Sequence, residues 1–560
     1  MGATRRGCVR KAAWWRNLDR QGLVWAGLVW AGPVLAGCGG DGAGGPGGGR
    51  ELGRPLVLGY SSELQTLNPL VSTDQMANEI MDYLLFTPLV VYDSTGRIEP
   101  WLAESWELSA NEVVFTLRPD LRWHDGAPVT AEDVAFTFRL AKNPAVASPL
   151  AAAYLANVRS VEVLGPRRVR FSFSSPHAQP LEDFFWPPVP EHLLKDVPPG
   201  ELFRHPFSRN PVGSGPYRFV NWEVGRRITF ERTREFPAGL GGPARIARVV
   251  YRIVPEPTTL LAEFLRGDVQ VDGPLAATDA RRVEEASGVR LLTFPWRQFT
   301  YIGWNGRREP FDDPGVRRAL TLAIDRRGLV EALLRGYGFV AASVIPPWHP
   351  YSPHLDPLPY APDSAAALLE RLGWRDEDGD GVRERDGRRL RFVLLASQRN
   401  PLLADLAQVI QSQLAGVGVE AVPRLLEWQT VLSLHRAREF DAVLTNWVLD
   451  NFRIDPRPLF HSRQIDIEGS ANRSSYSNPV ADSLMDLGVV TLDPAAAAAI
   501  WERFARIIRR DQPLTLLFWN DELAGVSEDL EDVRMDARGE LVTLPRWRWK
   551  RPSALGGETQ

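Results

Sequence analysis

The stretch that decides the fold is LRPDLRWHDGAPVTAEDV, residues 117–134. Ahead of it, the apolar side chains of residues 113–117 recur at every second position and share one face of a predicted strand. Near its end, Thr130 and Asp133 have the spacing of a capping box, which satisfies the first free amides of a helix. The stretch therefore predicts a strand, a turn and a helix in that order.

The turn inside this stretch places His124 next to Asp125, a combination that also occurs in acid–base catalysis. However, the sequence contains no nucleophile elbow, no HExxH motif and no activated-cysteine motif. We therefore interpret residues 123–126 as a structural turn, and we predict no catalytic residue and no cofactor. A secreted hydrolase is the alternative of a different class, and the same absence of motifs disfavours it.

Four further blocks follow in the sequence. They are NPVGSGPY at 210–217, PFDDPGVRRAL at 310–320, FDAVLTNW at 440–447 and NRSSYSNPVAD at 472–482. Together with the first stretch, these blocks resemble the bacterial extracellular solute-binding proteins of family 5. Members of that family are receptors that deliver peptides, nickel complexes or short sugars to ABC transporters.

Short strand patterns alternate with helical stretches, which predicts an α/β protein. The strand patterns lie at 55–60, 113–117, 168–173, 227–231 and 249–254. Asp-Pro pairs at 313–314 and 493–494 offer an N-cap followed by a proline at the first helical position, so each predicts a helix start.

The resemblance implies a two-lobed, periplasmic-binding-protein type II-like fold with an extra subdomain in lobe I. The chain would cross twice between the lobes, near residues 293–305 and 514–521. The expected boundaries are 51–293 for lobe I, with its subdomain at about 100–200, 294–513 for lobe II, and 514–560 for the return to lobe I. Ligands of the family lie between the lobes, which close by hinge bending.

The N-terminus has the layout of a secretion signal, because residues 1–20 carry six basic side chains and residues 22–37 carry no charge. The apolar part ends in LAGC, which resembles a lipobox. We predict a lipoprotein signal peptide at 1–37, lipid attachment at Cys38 and a glycine-rich tether at 38–50. The protein would then lie in the periplasm or at the cell surface, anchored to the membrane by lipid. An ordinary signal peptide with an incidental cysteine is the alternative.

Composition narrows the class of partner. Without residues 1–37 the net charge moves from −4 to −9, with 59 basic against 68 acidic residues, and an acidic surface argues against nucleic acid. The chain has two cysteines, Cys8 and Cys38, and the first lies in the predicted signal, so we expect no disulfide. The 19 tryptophans fit an aromatic-lined cleft for a peptide or a sugar.

The resemblance implies that the segment NWVLDN, residues 446–451, contacts the ligand. In peptide-binding members, a carboxylate after a tryptophan strand pairs with the α-ammonium of the ligand, and Asp450 matches it best. Trp447 and Asn451 complete the predicted ligand-binding residues. The alternative is that Asp450 caps the turn before Arg453. We therefore expect a monomeric receptor that binds a small solute, an oligopeptide, and acts with ABC permease subunits. An oligosaccharide or another non-peptide solute is the alternative ligand. A role in sensing is the alternative to transport.

Three other motifs have structural interpretations. Residues 376–384, DEDGDGVRE, begin like a calcium loop, but Gly387 stands where an EF-hand has its glutamate, so weak calcium binding and a solvated turn both stay open. His349 and His354 lack the geometry of a metal site, and we predict none. Residues 546–551, RWRWKR, alternate basic and aromatic side chains, which predicts a final edge strand with its tryptophans inward.

Overall fold

The computed structural model describes residues 53–109, 111–175, 179–449, 452–467 and 470–550. The α-helices are α1 Gln75–Ile80, α2 Ala131–Lys142, α3 Pro149–Ala153, α4 Glu191–Leu194, α5 Pro257–Leu265, α6 Ala277–Glu284, α7 Pro314–Leu322, α8 Arg326–Leu333, α9 Pro362–Arg371, α10 Pro401–Ala415, α11 Trp428–Ala437, α12 Arg457–Phe460, α13 Pro479–Gly488 and α14 Pro494–Asp511. The predicted signal peptide, Cys38 and the whole of the predicted tether lie outside the described residues.

The strands are β1 Leu56–Tyr60, β2 Val90–Tyr92, β3 Ile98–Pro100, β4 Ala103–Leu108, β5 Glu112–Leu117, β6 Val158–Gly165, β7 Arg168–Phe173, β8 Tyr217–Glu223, β9 Arg227–Arg232, β10 Arg248–Ile253, β11 Val271–Asp272, β12 Val289–Trp304, β13 Gly338–Val340, β14 Glu384–Arg385, β15 Arg388–Arg389, β16 Arg391–Ser397, β17 Glu420–Leu426, β18 Ala442–Val448, β19 Leu514–Ser527, β20 Leu530–Glu531 and β21 Arg548–Trp549. The five predicted strands are confirmed as β1, β5, β7, β9 and β10.

The predicted strand, turn and helix of the first block are confirmed as β5 and α2. The capping box is present, and the N–H of Thr130 donates to the Asp133 carboxylate at 2.8 Å. Asp133 is buried and also accepts from the N–H of Glu191 at 2.9 Å and from the indole N–H of Trp123 at 3.3 Å. One carboxylate thus stabilises the helix start and holds the turn against it.

His124 and Asp125 make separate contacts. Nδ1 of His124 accepts the N–H of Gly213 at 3.2 Å, so Nε2 carries the proton and donates to the carbonyl of Gly215 at 3.0 Å. Burial lowers the pKa of His124 to about 4, which keeps the ring neutral. Asp125 contacts His192 instead, at 2.8 Å. The turn is therefore structural, and His124 joins the first block to the second.

The second block packs too closely for any residue but glycine. A Cβ atom at Gly213 would lie 1.9 Å from the carbonyl oxygen of Leu85, and one at Gly215 would lie 2.3 Å from that of Leu84. The N–H groups of Ser214 and Gly215 donate to Leu85 at 2.9 and 2.8 Å. Because these amides already donate to a backbone carbonyl, they are not available to bind a phosphate, and the loop does not resemble a phosphate loop.

Among the described residues, the largest sheet has eleven strands in the order β17-β16-β18-β12-β19-β11-β1-β10-β9-β8, with β13 on β19. The long strands β12 and β19 pair antiparallel from Val289 opposite Ser527 to Gly303 opposite Leu514. Regular pairing is interrupted between Pro295 and Phe299. A separate four-stranded antiparallel sheet, β4-β5-β7-β6, lies with α2 at residues 103–173.

Strand β19 contributes to two separate apolar cores. Its Val526 packs in a cluster with β1, β5, β7, β9 and β10, whereas its Leu517 and Phe518 pack in a cluster with α7, α10, β16 and β18. Both long strands therefore belong to both halves of the molecule. The lobe boundaries at 293/294 and 513/514 stay a prediction, and they fall within β12 and at the start of β19.

The observed helix and strand ends test two further local predictions, the helix starts at the Asp-Pro pairs and the final strand. Asp313 accepts from the N–H of Gly315 and Asp493 from that of Ala496, each at 2.7 Å, which confirms both helix starts. The predicted final strand at 546–551 is wrong in extent, because within its described part, residues 546–550, only Arg548–Trp549 forms a strand, after a 3₁₀ turn. Trp547 is fully buried, so its inward position is confirmed.

We expect Gly213→Ala to lower the free energy of unfolding by about 2–4 kcal/mol, because its methyl group would overlap the Leu85 carbonyl. Urea unfolding followed by tryptophan fluorescence measures this effect. Gly165→Ala is the matched control, since nothing lies within 4 Å of its Cβ position. Equal unfolding midpoints for the two variants would contradict the close packing of the second block.

Candidate functional site

A cavity of about 720 Å³ is the candidate ligand site. Its wall is built from α1 and the turn after it, the loops around residues 88–92, 149–154 and 185–187, the middle of β12 and the end of β18. The charged lining residues are Glu79, Asp82, Arg297 and Arg538, and the aromatic ones are Tyr83, Tyr92, Tyr154, Phe185, Trp186 and Phe452. A cavity of this size accommodates a small organic ligand.

Helix α1 places two acids on the cavity wall. The Asp74 carboxylate accepts the N–H of Ala77 at 2.7 Å and starts the helix. After Ile80 the helix widens into a single π turn, Met81–Leu85, a feature that is frequent at functional sites. Apolar side chains of both segments enter the core, while Glu79 and Asp82 line the cavity.

The two carboxylate oxygens of Glu79 differ in their contacts with the backbone. Its Oε2 accepts the N–H of Glu540 at 2.8 Å and that of Leu541 at 3.3 Å. A Cβ atom at Gly539 would lie 2.4 Å from the same oxygen, so this approach requires glycine. Its other oxygen, Oε1, is buried and has no hydrogen bond of normal geometry to any residue that the structure describes. Burial raises the pKa of Glu79.

Three more carboxyl groups surround Glu79. Burial raises the pKa of Asp82 to about 8, with a further contribution from Glu79. Burial, together with Glu79, also raises the pKa of Glu540, whose Oε2 accepts the hydroxyl of Tyr60 at 2.7 Å. The pKa of Glu522 is raised by burial and by Glu540. We name Glu79, Asp82, Glu522 and Glu540 the acidic cluster; only the first two line the cavity.

Arginines face the acidic cluster from two directions. Arg297 lies where the regular pairing of β12 and β19 is interrupted, and it lowers the pKa values of Glu79, Asp82 and Glu522 by its charge. Its carbonyl accepts the N–H of Leu449 at 2.8 Å, which connects β12 to the end of β18. Arg538 is engaged elsewhere, by two bonds to Asp536 at 2.8 and 2.7 Å.

The opposite wall is aromatic. Tyr92 stacks on Phe185 with ring centroids 3.8 Å apart and packs against Phe452 at 4.5 Å. The hydroxyl of Tyr92 donates to Glu182, whose pKa is raised to about 8 by burial. A cavity lined by aromatic rings and a few charged groups can bind an extended molecule that has both apolar and charged surface.

The residues predicted to bind ligand lie beside this cavity or outside the described residues. Trp447 pairs with Phe299 in the sheet and is partly buried against the core next to β19. The two residues that follow it, Val448 and Leu449, line the cavity. Asp450 and Asn451 lie outside the described residues. Ligand contact by these three residues stays a prediction.

The structure also describes two motifs that were given structural interpretations, His349 and residues 376–384. Both ring nitrogens of His349 contact backbone, at 2.9 Å to the Phe452 carbonyl and 3.0 Å from the Tyr351 N–H, so neither is free to bind a metal. Carboxylate oxygens of Asp376, Asp378 and Glu384 lie within 4.8 Å of one another on the surface, and calcium binding there stays open.

Sequence reasoning missed Glu79, Asp82 and Arg297. The run QMANEIMDYLL at 75–85 did contain a signal, because it places two acids three residues apart within an apolar helical stretch. Nothing local indicated the partners of these acids, since β12, β19 and residues 536–541 are more than 200 positions away along the chain.

The family described as "Bacterial extracellular solute-binding proteins, family 5 Middle" matches residues 97–462. This chain belongs to that family. The predicted membership is confirmed, and the chain is a solute-binding protein by family. It is 29% identical to the oligopeptide-binding protein AppA of Bacillus subtilis over 505 residues, covering 88% of this chain and 91% of that protein. It is also 26% identical to the dipeptide-binding protein of Escherichia coli, covering 85% and 90%.

Solved structures confirm the two-lobed type II-like fold with its extra subdomain. This chain is similar to Bacillus subtilis AppA in complex with a nonapeptide, with a TM-score of 0.72 and 28% identity, over 89% of this chain and 99% of that one. Its fold also matches NikA of Brucella suis, with a TM-score of 0.78 and 20% identity, over 89% and 100%. Within the described ranges, no helix has the length and apolarity needed to span a membrane.

The acidic cluster predicts how the stability of the ligand-free protein depends on pH. Asp82 ionises near 3.8 when unfolded but keeps its proton to about pH 8 when folded, so the folded state binds more protons and stability falls as pH rises through this window. We expect Asp82→Asn to remove part of this fall and to raise the free energy of unfolding by about 1–3 kcal/mol at about pH 8.

Denaturant unfolding at about pH 5 and about pH 8 measures the effect. The exposed Asp196 provides the matched control, Asp196→Asn. The neutral His124 acts in the opposite sense below its unfolded value of 6.5, so each variant is compared with the wild type at the same pH. Identical pH profiles for wild type and Asp82→Asn would show that Asp82 is ionised in the folded protein.

Proposed function

We propose that this protein is a lipid-anchored extracytoplasmic receptor that captures a peptide-like solute in its cavity and delivers it to an ABC permease. The observation that carries the proposal is the 720 Å³ cavity, which combines charged groups with an aromatic wall beside β12 and β18. Such a cavity suits a peptide, whose backbone and termini are polar and whose side chains offer apolar surface. The named oligopeptide- and dipeptide-binding relatives support this ligand class.

Capture would work by a shift of conformational population. A ligand that contacts both lobes binds the closed arrangement more tightly than the open one, and so it favours closure. The long strands β12 and β19 connect the two halves, and the interruption between Pro295 and Phe299 offers a place to bend. The permease would then recognise the closed, loaded receptor. A monomer is sufficient for this mechanism.

The membrane anchor belongs to the same proposal. Cys38 would carry the lipid, and residues 39–50, eight of which are glycine, would span roughly 20 Å as a flexible chain. That reach lets the receptor move near the membrane surface, in the periplasm or outside the cell.

Lipidation is tested at Cys38. We expect Cys38→Ser to move the protein from the membrane fraction to the soluble fraction without changing its unfolding midpoint, because the sequence of the tether offers no large apolar side chain to a core. Mass spectrometry of the wild-type membrane fraction should find an acylated N-terminus at this residue. A wild-type mature protein that begins elsewhere and is recovered in the soluble fraction would refute the anchor.

Peptide capture is tested by ligand binding, with Asp450 as the proposed partner of the α-ammonium. Peptides at 100 times their dissociation constant should stabilise the protein by about 2.7 kcal/mol in thermal unfolding. Asp450→Asn should weaken their binding by about 2–5 kcal/mol, whereas the control Asp405→Asn, on the exposed face of α10, should not.

The other ligand classes serve as controls for this proposal. Oligosaccharides and nickel chelates should leave the melting temperature unchanged. Stabilisation by a sugar panel and none by peptides would move the ligand class to uncharged solutes. Turnover of a substrate without retention of any ligand would favour the hydrolase.

A further inference from the structure

We infer that Glu79 and Asp82 form a binding site for a cationic group of the solute, an ammonium or a guanidinium, inside the cavity. The inference rests on the proposed peptide-like ligand. It adds to that proposal the place in the cavity where a positively charged group of the ligand binds. Asp450, the proposed partner of the α-ammonium, follows β18 in the sequence and lies outside the described residues. Glu79 and Asp82 instead belong to α1 and the π turn, on the wall formed by the first half of the chain.

The first observation is a buried carboxylate that the protein only half satisfies. Glu79 is 4% exposed and lines the cavity. Its Oε2 accepts two backbone N–H groups, and the side chain of Gln75, on the same wall, lowers the pKa of Glu79 by hydrogen bonding. Among the described residues, its Oε1 has no hydrogen bond of normal geometry. A purely structural role explains Oε2, because it fixes residues 540 and 541. It does not explain Oε1, whose desolvation costs free energy unless a donor arrives.

The second observation is Asp82, three residues further along the same segment. Asp82 lines the cavity and makes no hydrogen bond or ion pair within the part of the chain that the structure describes; only the charges of Glu79 and Arg297 act on it. It caps no helix and holds no loop. A carboxylate that the fold does not use, next to a half-satisfied one, is available to a ligand.

The third observation is the balance of charge. The acidic cluster has four carboxyl groups. Behind the wall, burial raises the pKa values of Glu540 and Glu522, with a further contribution from Glu79 to each and from Glu540 to that of Glu522. From β12, Arg297 acts on three of the four, and Arg538 is held by Asp536. One arginine does not neutralise four carboxylates in a desolvated site, so bound protons complete the balance in the ligand-free protein.

A cationic group can replace those protons. As an ammonium or guanidinium enters, a protonated carboxyl of Glu79 or Asp82 ionises, its proton passes to solvent, and the carboxylate accepts hydrogen bonds from the ligand cation. Capture should therefore release protons near pH 7, on the order of one for each ligand bound. The released proton distinguishes this site from one that is already ionised.

The test uses the mature protein and a library of short peptides randomised at every position, half of them N-acetylated. Peptides retained after gel filtration are identified by native mass spectrometry. We expect retained peptides to be enriched in cationic groups, and Asp82→Asn to lower the affinity for them about ten- to a hundredfold. Asp196→Asn, an exposed aspartate in the same half of the chain, should behave as wild type.

The two halves of the library identify the source of the cation. Among the peptides whose binding Asp82→Asn weakens, dependence on a free N-terminus assigns the site to the terminal ammonium. Dependence on lysine or arginine among acetylated peptides assigns it to a side chain. Calorimetry of the most enriched peptide, in two buffers of different ionisation enthalpy, measures the released proton on the wild type without any variant.

Each outcome decides the inference. Enrichment that Asp82→Asn removes, together with proton release, supports it. Retention of peptides without cationic enrichment overturns it and leaves the proposed function intact. Enrichment that is unchanged in a folded Asp82→Asn, or wild-type binding without proton release, overturns it as well. If no peptide is retained, the proposed function fails and the inference fails with it.

Discussion

The antiparallel pairing of β12 and β19 is the constraint on which the rest of the structure depends. Their register runs from Val289 and Ser527 to Gly303 and Leu514, with shifts after Pro295 and after Thr300, and it passes from one apolar core to the other. Because the same two strands belong to both halves, neither half can slide without breaking this register. Bending at the interruption after Pro295 is the motion that keeps the register, and Arg297 lies at that place.

The candidate site combines this constraint with an electrostatic cost. Three carboxyl groups are gathered around that of Glu79, although burial disfavours the charge of each of the four. Stability alone would replace such groups by apolar side chains of similar volume. A site that binds a cation must instead keep its ionisable groups in place before the ligand arrives, and the surrounding cores supply the stability that this requires.

Much of the fold could be predicted, because its signals are local. Thr130 and Asp133 form their capping box within one turn, and the Asp-Pro pairs start α7 and α14 as expected. The alternating pattern at 113–117 becomes β5 for the same reason, since residues two apart share a face. The final strand was predicted too long, because alternation at 546–551 continues beyond the two residues that find a pairing partner.

By itself the sequence determined the α/β class, the family, the helix starts and the capping box, because each depends on residues within a few positions or on blocks in a fixed order. It left Glu79 and Asp82 as two acids in an apolar helix. Only the tertiary structure decided that Glu540, Glu522 and Arg297 come to the same place, from segments more than 200 residues distant. The reason is physical: a pKa, and the charge that a cavity offers, depend on burial and on neighbours in space.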